Sequence, residues 1–463
     1  MKKQIVIIGG GISGLATAYW FKKNNYDVVV LDKNKEPGGV MESVTNNGFM
    51  FDRGPNSGLE VTPLIKQIVD EIGMSDQFIY ADSTGDKRYI LRNNILHALP
   101  MKPNLFLATK LFSWKGKLRA MAEPFVKRSK DGYYQSLAEF VSRRLGKEFL
   151  DYAINPFVAG VYAGNPEELS VKSAFPKLYA LEEKYGGIFV GAIKTARARK
   201  KSPETAKQSA KMFSFKNGMQ SFPAGIAKYL GNLVNLNCDV SGVYKTETGY
   251  KVAYTQLDEE KSIDCDIVIS AVPSYSASKL FGGIDRQLAE HLNEIYYPPV
   301  IVLYLVYKKS SIQRPLDGFG FLIPSKEKKS FLGAIWSSVI FPTRTTEDKT
   351  AFTLFIGGSR NPEIADMDRD SVLKKAIKEF QEVMVINEKP IFNAHRFWSK
   401  AIPQYNVGYV EHDKYFAEFE TNNPGLYLSG NFRGGIAVGD CIRNSDVLYN
   451  KVKEFLDSKN KID

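Results

Sequence analysis

Residues 1–23 read MKKQIVIIGGGISGLATAYWFKK, two lysines ahead of a long uncharged run. Such a run suits an export signal, a membrane span or a nucleotide-binding turn, and the glycines decide among them. Gly9, Gly10, Gly11 and Gly14 fall where an apolar helix should be continuous, and each lowers helix stability by about 1 kcal/mol relative to alanine. The uncharged stretch from Gln4 to Trp20 also falls short of the ~20 residues that cross a bilayer. The pattern instead predicts a buried strand at Ile5–Ile8, a tight turn, and a helix from about Ser13 to Asn24. A second apolar run, Val28–Leu31, ends on Asp32, roughly 20 residues past the glycines, which is the spacing of a dinucleotide fingerprint. Gly9, Gly11 and Gly14 let a pyrophosphate reach the backbone at a helix N-terminus, where unpaired N–H groups favour anions. Asp32 is the expected acceptor for the adenosine ribose hydroxyls.

The residues after Asp32 narrow the choice of dinucleotide. Gly38-Gly39 follows within a few residues, and a glycine pair there brings backbone close to a phosphate a second time. An extended FAD needs that second approach more than a nicotinamide cofactor does. The stretch Gly48–Asn56 reads as a strand and turn. Together these segments resemble the glutathione-reductase-like, amine-oxidase-type flavoproteins.

With 463 residues, 44% hydrophobic and 24% charged, the chain has the make-up of an ordinary folded protein with about three domains. Cys238, Cys265 and Cys441 are widely spaced without a CxxC pair, so neither a disulfide framework nor a zinc site is expected, and a reduced cytoplasmic setting follows. His97, His291, His395 and His412 lie far apart in sequence without ligand spacing, so no metal site is expected.

The net charge of +11 is unevenly placed. Met101 to Lys130 carries eight basic residues against Glu123, and Lys194 to Lys211 carries seven against Glu204. Within the first segment Leu105-Phe106-Leu107, Leu111-Phe112, Trp114, Leu118, Met121 and Phe125 recur at roughly helical spacing. Two readings fit: an amphipathic face on an anionic membrane surface, or a solvated basic face over an internally packed helical unit. Periodicity alone leaves both open. No nucleic-acid-binding motif accompanies the charge, so nucleic acid is not an expected partner.

Alternating elements resume downstream. Asn155–Pro166 reads as a glycine-rich loop, Met212–Met219 as a strand and turn entering a helix from Ser221 to Gly231, and Val240–Val243 and Asp266–Pro273 as strands. Gly425–Asn431 predicts a further buried strand, and Gly434–Gly439 opens the final helix, a second helix N-terminus suited to cofactor oxygens. The expected fold class is α/β: a discontinuous, Rossmann-like, glutathione-reductase-like FAD-binding domain with a mixed-sheet substrate domain and an inserted helical domain. The expected segments are 1–85, 212–275 and 416–463 for the FAD-binding domain, 86–100 and 276–415 for the substrate domain, and 101–211 for the helical, membrane-binding domain.

Four further stretches narrow the resemblance: NPFVAGVYAGNPEELSVKSAFPKLYALEEKYGG, DGFGFLIPSK, WSKAIPQYNVGY and GLYLSGNFRGGIAVGDCI. These are similar to the oxygen-dependent protoporphyrinogen oxidase family from the first strand to Ile442, and coproporphyrinogen oxidases of the same family share most of them. Amine oxidases usually place an acid after the glycine of the last strand, where this chain has Asn431. The resemblance implies FAD-dependent, six-electron oxidation of a porphyrinogen to a porphyrin, with oxygen returning the flavin to its oxidised state as hydrogen peroxide forms. The cofactor carries the chemistry and the protein orients an apolar macrocycle, so no catalytic side chain is assigned.

What the resemblance implies for individual residues is a propionate contact at Arg88, a macrocycle pocket lined by Phe319, Gly320 and Leu322, a loop carbonyl at Gly160, and a more loosely matched stacking position at Trp336. For FAD it implies Gly9, Gly11, Gly14, Asp32, Gly38, Gly39, Val243, Gly430, Asn431, Ile436, Ala437 and Val438. Two departures stand out. The family often has Glu where Asp32 lies, so the shorter side chain is expected to reach through water, and Val40-Met41-Glu42-Ser43 lacks the basic residue many relatives carry. Expected partners are the porphyrinogen, molecular oxygen, a ferrochelatase at handover, an anionic membrane surface and a second copy in a homodimer. The expected location is cytoplasmic, peripheral on the inner face of the cell membrane. Alternatives are coproporphyrinogen III oxidation, an amine or carotenoid oxidoreductase, and a non-catalytic FAD-containing porphyrin-binding protein.

Overall fold

The computed structural model describes residues 3–100, 102–199 and 210–459. Met1 and Lys2, Met101, residues 460–463 and the part of the second basic run holding Lys200, Lys201, Glu204 and Lys207 lie outside them.

Strand Gln4–Ile8 lies at the centre of a five-stranded parallel sheet in the order Val234–Asn235, Asp27–Leu31, Gln4–Ile8, Ile267–Ser270, Leu426–Leu428. Ile5–Ile8 are apolar in an unbroken run because both faces are covered, as parallel sheets require. Helix Ile12–Lys23 packs on one face against helix Ser221–Leu230 and the final helix Val438–Lys459. A three-stranded antiparallel sheet, Cys238–Lys245, Tyr250–Gln256 and Glu259–Cys265, covers the other with helices Ser274–Phe281 and Arg286–Glu294. The glycine turn has a steric origin. Gly9 has φ +113, and a Cβ on Gly14 would lie 1.9 Å from the Gly9 carbonyl oxygen, so strand and helix meet this closely only with glycine at position 14.

A second sheet has seven strands in the order Phe392–Trp398, Val300–Lys308, Lys349–Gly357, Phe331–Ile335, Gly320–Leu322, Arg88–Arg92, Ile95–Ala98. It is mixed: Gly320–Leu322 runs parallel to Arg88–Arg92, whereas the other pairs are antiparallel. One face, with Ile301, Leu303, Phe321 and Leu354, packs on helix Arg369–Met384. The other, with Val300, Val302, Tyr304 and Leu332, turns toward hairpin Ser43–Asn46/Phe49–Asp52 and helix Asn155–Tyr162. A buried ion pair, Arg344 to Asp52 at 3.1 Å, ties the hairpin to this sheet.

The helical unit surrounds a core of Phe140, Val141, Val158, Leu169 and Tyr179. Within it Arg144 is fully buried between Glu123 and Glu182, each 3.0 Å away. Asn155–Pro166 is not a loop as its glycines suggest. Asn155–Tyr162 is a helix that continues without a break from Lys147–Phe149 through the π-helical turn Leu150–Ile154, and Ala163 ends it in the left-handed conformation at φ 49. Pro156 follows that wider turn directly, where the regular helical hydrogen-bond ladder is already interrupted. Positions 275/276 and 415/416 fall within helices Ser274–Phe281 and Val410–Asn422, which both pack in the cluster beside the parallel sheet.

Candidate active site

The carboxyl ends of the parallel strands form one rim, where ligands of open α/β sheets bind. Gly9–Gly11 leaves strand Gln4–Ile8 there, and Gly38 crosses back to it, its N–H donating to the Gly10 carbonyl at 2.9 Å. Gly38 and Gly39 both have positive φ, +127 and +60. A Cβ on Gly39 would sit 3.4 Å from the Gly11 Cα, whereas one on Gly11 would meet nothing within 4 Å. The two glycine loops therefore pack on each other and leave open space beside the helix N-terminus, a cradle shaped for a pyrophosphate. Asp32 is buried, and its carboxylate accepts the Gly10 N–H at 2.5 Å and the Asn34 N–H at 2.7 Å. Through these two bonds it braces the glycine turn. Val243 lies buried under the same rim, in one cluster with Ile8 and Leu31.

At the far end of the rim, Ser429 donates its N–H to Ser270, and the chain turns through Gly430, Gly434 and Gly435, all at positive φ, into the final helix. Two tyrosines hold this turn. The Tyr405 hydroxyl donates to the Asn431 carbonyl at 2.9 Å and accepts the Gly435 N–H at 3.0 Å. The Tyr409 hydroxyl donates to the Phe432 carbonyl. Burial pushes both phenols well above their ordinary range, so both remain protonated donors. Tyr405 also receives the Ser170 N–H on its own carbonyl, which joins the turn to the helical unit. Ile436 packs against both hydrophobic cores, and Ala437 and Val438 start the helix beyond it, the Ala437 carbonyl accepting the Cys441 N–H at 3.0 Å. Both tyrosines lie within the WSKAIPQYNVGY stretch but ahead of helix Val410–Asn422, so no local periodicity in the sequence marks their role.

On the seven-stranded sheet Arg88 pairs in register with Gly320, and Ile90 with Leu322. The Arg88 guanidinium lies 5.5 Å from the centre of the Phe319 ring. A Cβ on Gly160 would lie 2.3 Å from the Leu322 side chain, so the helix packs directly against the sheet at this position. Arg88, Gly160, Phe319, Gly320 and Leu322 thus come together, although up to 234 positions separate them. Lys87 is neutralised by Asp317 at 2.6 Å, but half-buried Arg88 has no carboxylate within ion-pair distance among the described residues. Trp336 is not part of the group. It is 1% exposed on the opposite face of the sheet, where its ring stacks on Tyr89 at 5.8 Å.

The residues present fit FAD: a glycine cradle, a buried carboxylate behind it, and a buried hydroxyl without a partner, Ser270 Oγ, at the end of a strand on the same rim. Comparison with known proteins agrees. The profile of the flavin containing amine oxidoreductase family matches residues 12–444. The chain is 34% identical to protoporphyrinogen oxidase 2, chloroplastic/mitochondrial, from Arabidopsis thaliana, covering 98% of this chain and 95% of that one. It is 29% identical to coproporphyrinogen III oxidase from Bacillus subtilis, over 95% and 96% of the two chains. A crystal structure from Exiguobacterium sp. 255-15, provisionally described as a protoporphyrinogen oxidase, superposes with a TM-score of 0.80 at 20% identity over 98% and 99% of the chains. The chain belongs to the flavin containing amine oxidoreductase family and is an FAD-dependent oxidoreductase.

Proposed function

We propose that this protein oxidises protoporphyrinogen IX to protoporphyrin IX in haem biosynthesis, with molecular oxygen as terminal acceptor and hydrogen peroxide as product. The observation that carries the reading is Arg88, a half-buried cation without an acidic partner beside Phe319 and Leu322. A guanidinium so placed recognises a carboxylate attached to an apolar body through two parallel hydrogen bonds. In this reading Arg88 holds one propionate, and Phe319, Leu322 and the backbone at Gly160 and Gly320 line the macrocycle slot. Gly9, Gly11, Gly14, Gly38 and Gly39 hold the FAD pyrophosphate, with Asp32 behind them and Val243 toward the adenine. Gly430, Asn431, Ile436, Ala437 and Val438 lie at the flavin end. Bound FAD supplies the two-electron acceptor for each of three oxidations; the chain's own residues orient the macrocycle and exclude water.

Coproporphyrinogen III is the second reading, motivated by the Bacillus subtilis relative. Turnover of both porphyrinogens by FAD-loaded protein, followed aerobically by porphyrin fluorescence, tests the choice. A preference for protoporphyrinogen is expected. Preference for coproporphyrinogen establishes the second reading, and no porphyrin from either removes both.

The same nested domain order is inferred, with its later junctions moved into the loops at 271–273 and 423–425. Membrane contact through the helical unit is supported by an exposed apolar group comprising Leu105, Trp114, Leu118, Met121 and Phe125, the last 90% exposed. Exposed Lys102, Lys110 and Lys115 flank it, a combination suited to an anionic interface. Not every apolar residue of that segment contributes, since Leu111 and Phe112 are buried beneath it. Nor does every cation: Lys117 donates inward to the Leu107 and Thr109 carbonyls at 2.7 Å each, and Arg119 donates to the Arg143 and Arg144 carbonyls. No helix among the described residues is long and apolar enough to cross a membrane. Handover to a ferrochelatase, assembly as a homodimer and a location on the inner face of the cell membrane complete the proposal.

A further inference from the structure

His291 and His412, 121 residues apart, meet with their Nδ1 atoms 2.9 Å from each other. Glu294 extends a carboxylate oxygen to 4.0 Å from the His412 Nδ1, and one ligand atom from each of the three lies within 4.8 Å of the others. His291 and Glu294 stand three residues apart on helix Arg286–Glu294, hence on one face of it. His412 faces them from helix Val410–Asn422, which packs alongside. We propose that His291, Glu294 and His412 form a binding site for one divalent transition-metal ion of the zinc class.

The geometry suits that ion. Zinc binds imidazole nitrogen at about 2.0–2.1 Å, so two nitrogens at the observed separation subtend about 90° at a shared ion, and a modest opening reaches the tetrahedral angle. Two imidazoles and one carboxylate, with water at the remaining position, form a borderline-soft donor set that favours zinc, nickel or copper over magnesium or calcium. The rings are also held in place. Tyr415 stacks on His291 at 4.5 Å, its hydroxyl anchored 3.1 Å from both Asp285 oxygens, and Tyr409 meets His412 edge to face at 5.4 Å. An ion here cross-links the two helices at the base of the Tyr405–Tyr409 clamp and stabilises the folded holoenzyme by mass action.

The test is equilibrium dialysis of FAD-loaded protein against zinc ion alone, comparing the parent with His291→Gln/His412→Gln and with the exposed Glu294→Gln. One zinc per chain is expected in the parent, weakened on the order of 100-fold or more in the double variant, with a smaller loss in Glu294→Gln. The parent is expected to gain thermal stability with zinc, and the double variant to gain none. Bound FAD in each variant reports that it has folded. The proposal is overturned if the parent binds no zinc, which leaves the two imidazoles a hydrogen-bonded pair. It is equally overturned if the double variant binds zinc as tightly as the parent, which places the ion elsewhere, for example on a cysteine.

Discussion

Arg144 in the helical unit and Arg88 on the seven-stranded sheet are the same side chain in opposite surroundings. Arg144 is completely buried and saturated: Glu123 and Glu182 flank it, and it donates to the carbonyls of Val126 and Gly186 as well. Arg88 is half-buried, rests against one aromatic ring and has no acid within reach among the described residues. A guanidinium whose donors are all used inside the fold positions the fold. One whose donors stay available beside an apolar slot can position a ligand. The number and kind of partners distinguish the two roles where residue type and burial alone do not.

The largest way to break that comparison is Arg144→Met. It leaves Glu123 buried without its counter-ion and Glu182 with Arg143 as its one remaining cation, and a loss of about 3–5 kcal/mol is expected, read as a lower midpoint in denaturant. Unchanged stability would erase the distinction. Arg88→Ala should instead leave the midpoint and FAD content as they are while lowering kcat/KM for protoporphyrinogen about 10- to 100-fold, the value of a hydrogen-bonded charge. Tyr405→Phe removes one donor and one acceptor from the turn at Asn431 and Gly435, and should weaken FAD binding by about 1–3 kcal/mol in a fluorescence titration. If the affinity holds, the clamp is not what shapes that turn.

A pH effect sharpens the Arg144 side. Burial pushes the Glu182 carboxyl up, but hydrogen bonds from Arg144, Arg143 and the Ser129 N–H more than offset it, so the group lies below its ordinary range in the folded protein. The unfolded chain therefore takes up this proton first, and the stability it confers is present above the ordinary carboxylate range and lost as pH falls through the lowered value. Glu182→Gln should flatten that part of the acid-denaturation profile. The smallest expected effect is at the surface: Trp114→Ser/Leu118→Ser/Phe125→Ser should lower binding to anionic vesicles about 10-fold, measured by sedimentation, with turnover in detergent retained. Equal sedimentation of variant and parent returns the basic segment to a solvated face.

The nucleotide half was legible because its signals are local. Strand, glycine turn, helix, strand and Asp32 all lie within the consecutive stretch from Gln4 to Asp32, and each element constrains the next. The substrate side was less legible because its contacts are long-range. Nothing local pairs Arg88 with Gly320, or says that Trp336 emerges on the other face, a matter of strand parity. Gly160 suggested a loop because glycine and proline usually punctuate, yet here Pro156 follows a π-helical turn inside a continuous helix and Gly160 faces the Leu322 side chain. Lys117 counted as surface charge until its ammonium was found capping carbonyls beneath the segment. The histidines read as isolated because His291 and His412 meet only through tertiary packing.

The most direct test of the account compares parent and Arg88→Ala, both FAD-loaded, on protoporphyrinogen IX and on its dimethyl ester, by porphyrin fluorescence. The expected result is that the parent prefers the diacid about 10-fold or more, that Arg88→Ala loses this preference, and that the two proteins turn over the ester alike. An equal loss on acid and ester, or no loss on either, would contradict the assignment of Arg88 as the propionate anchor.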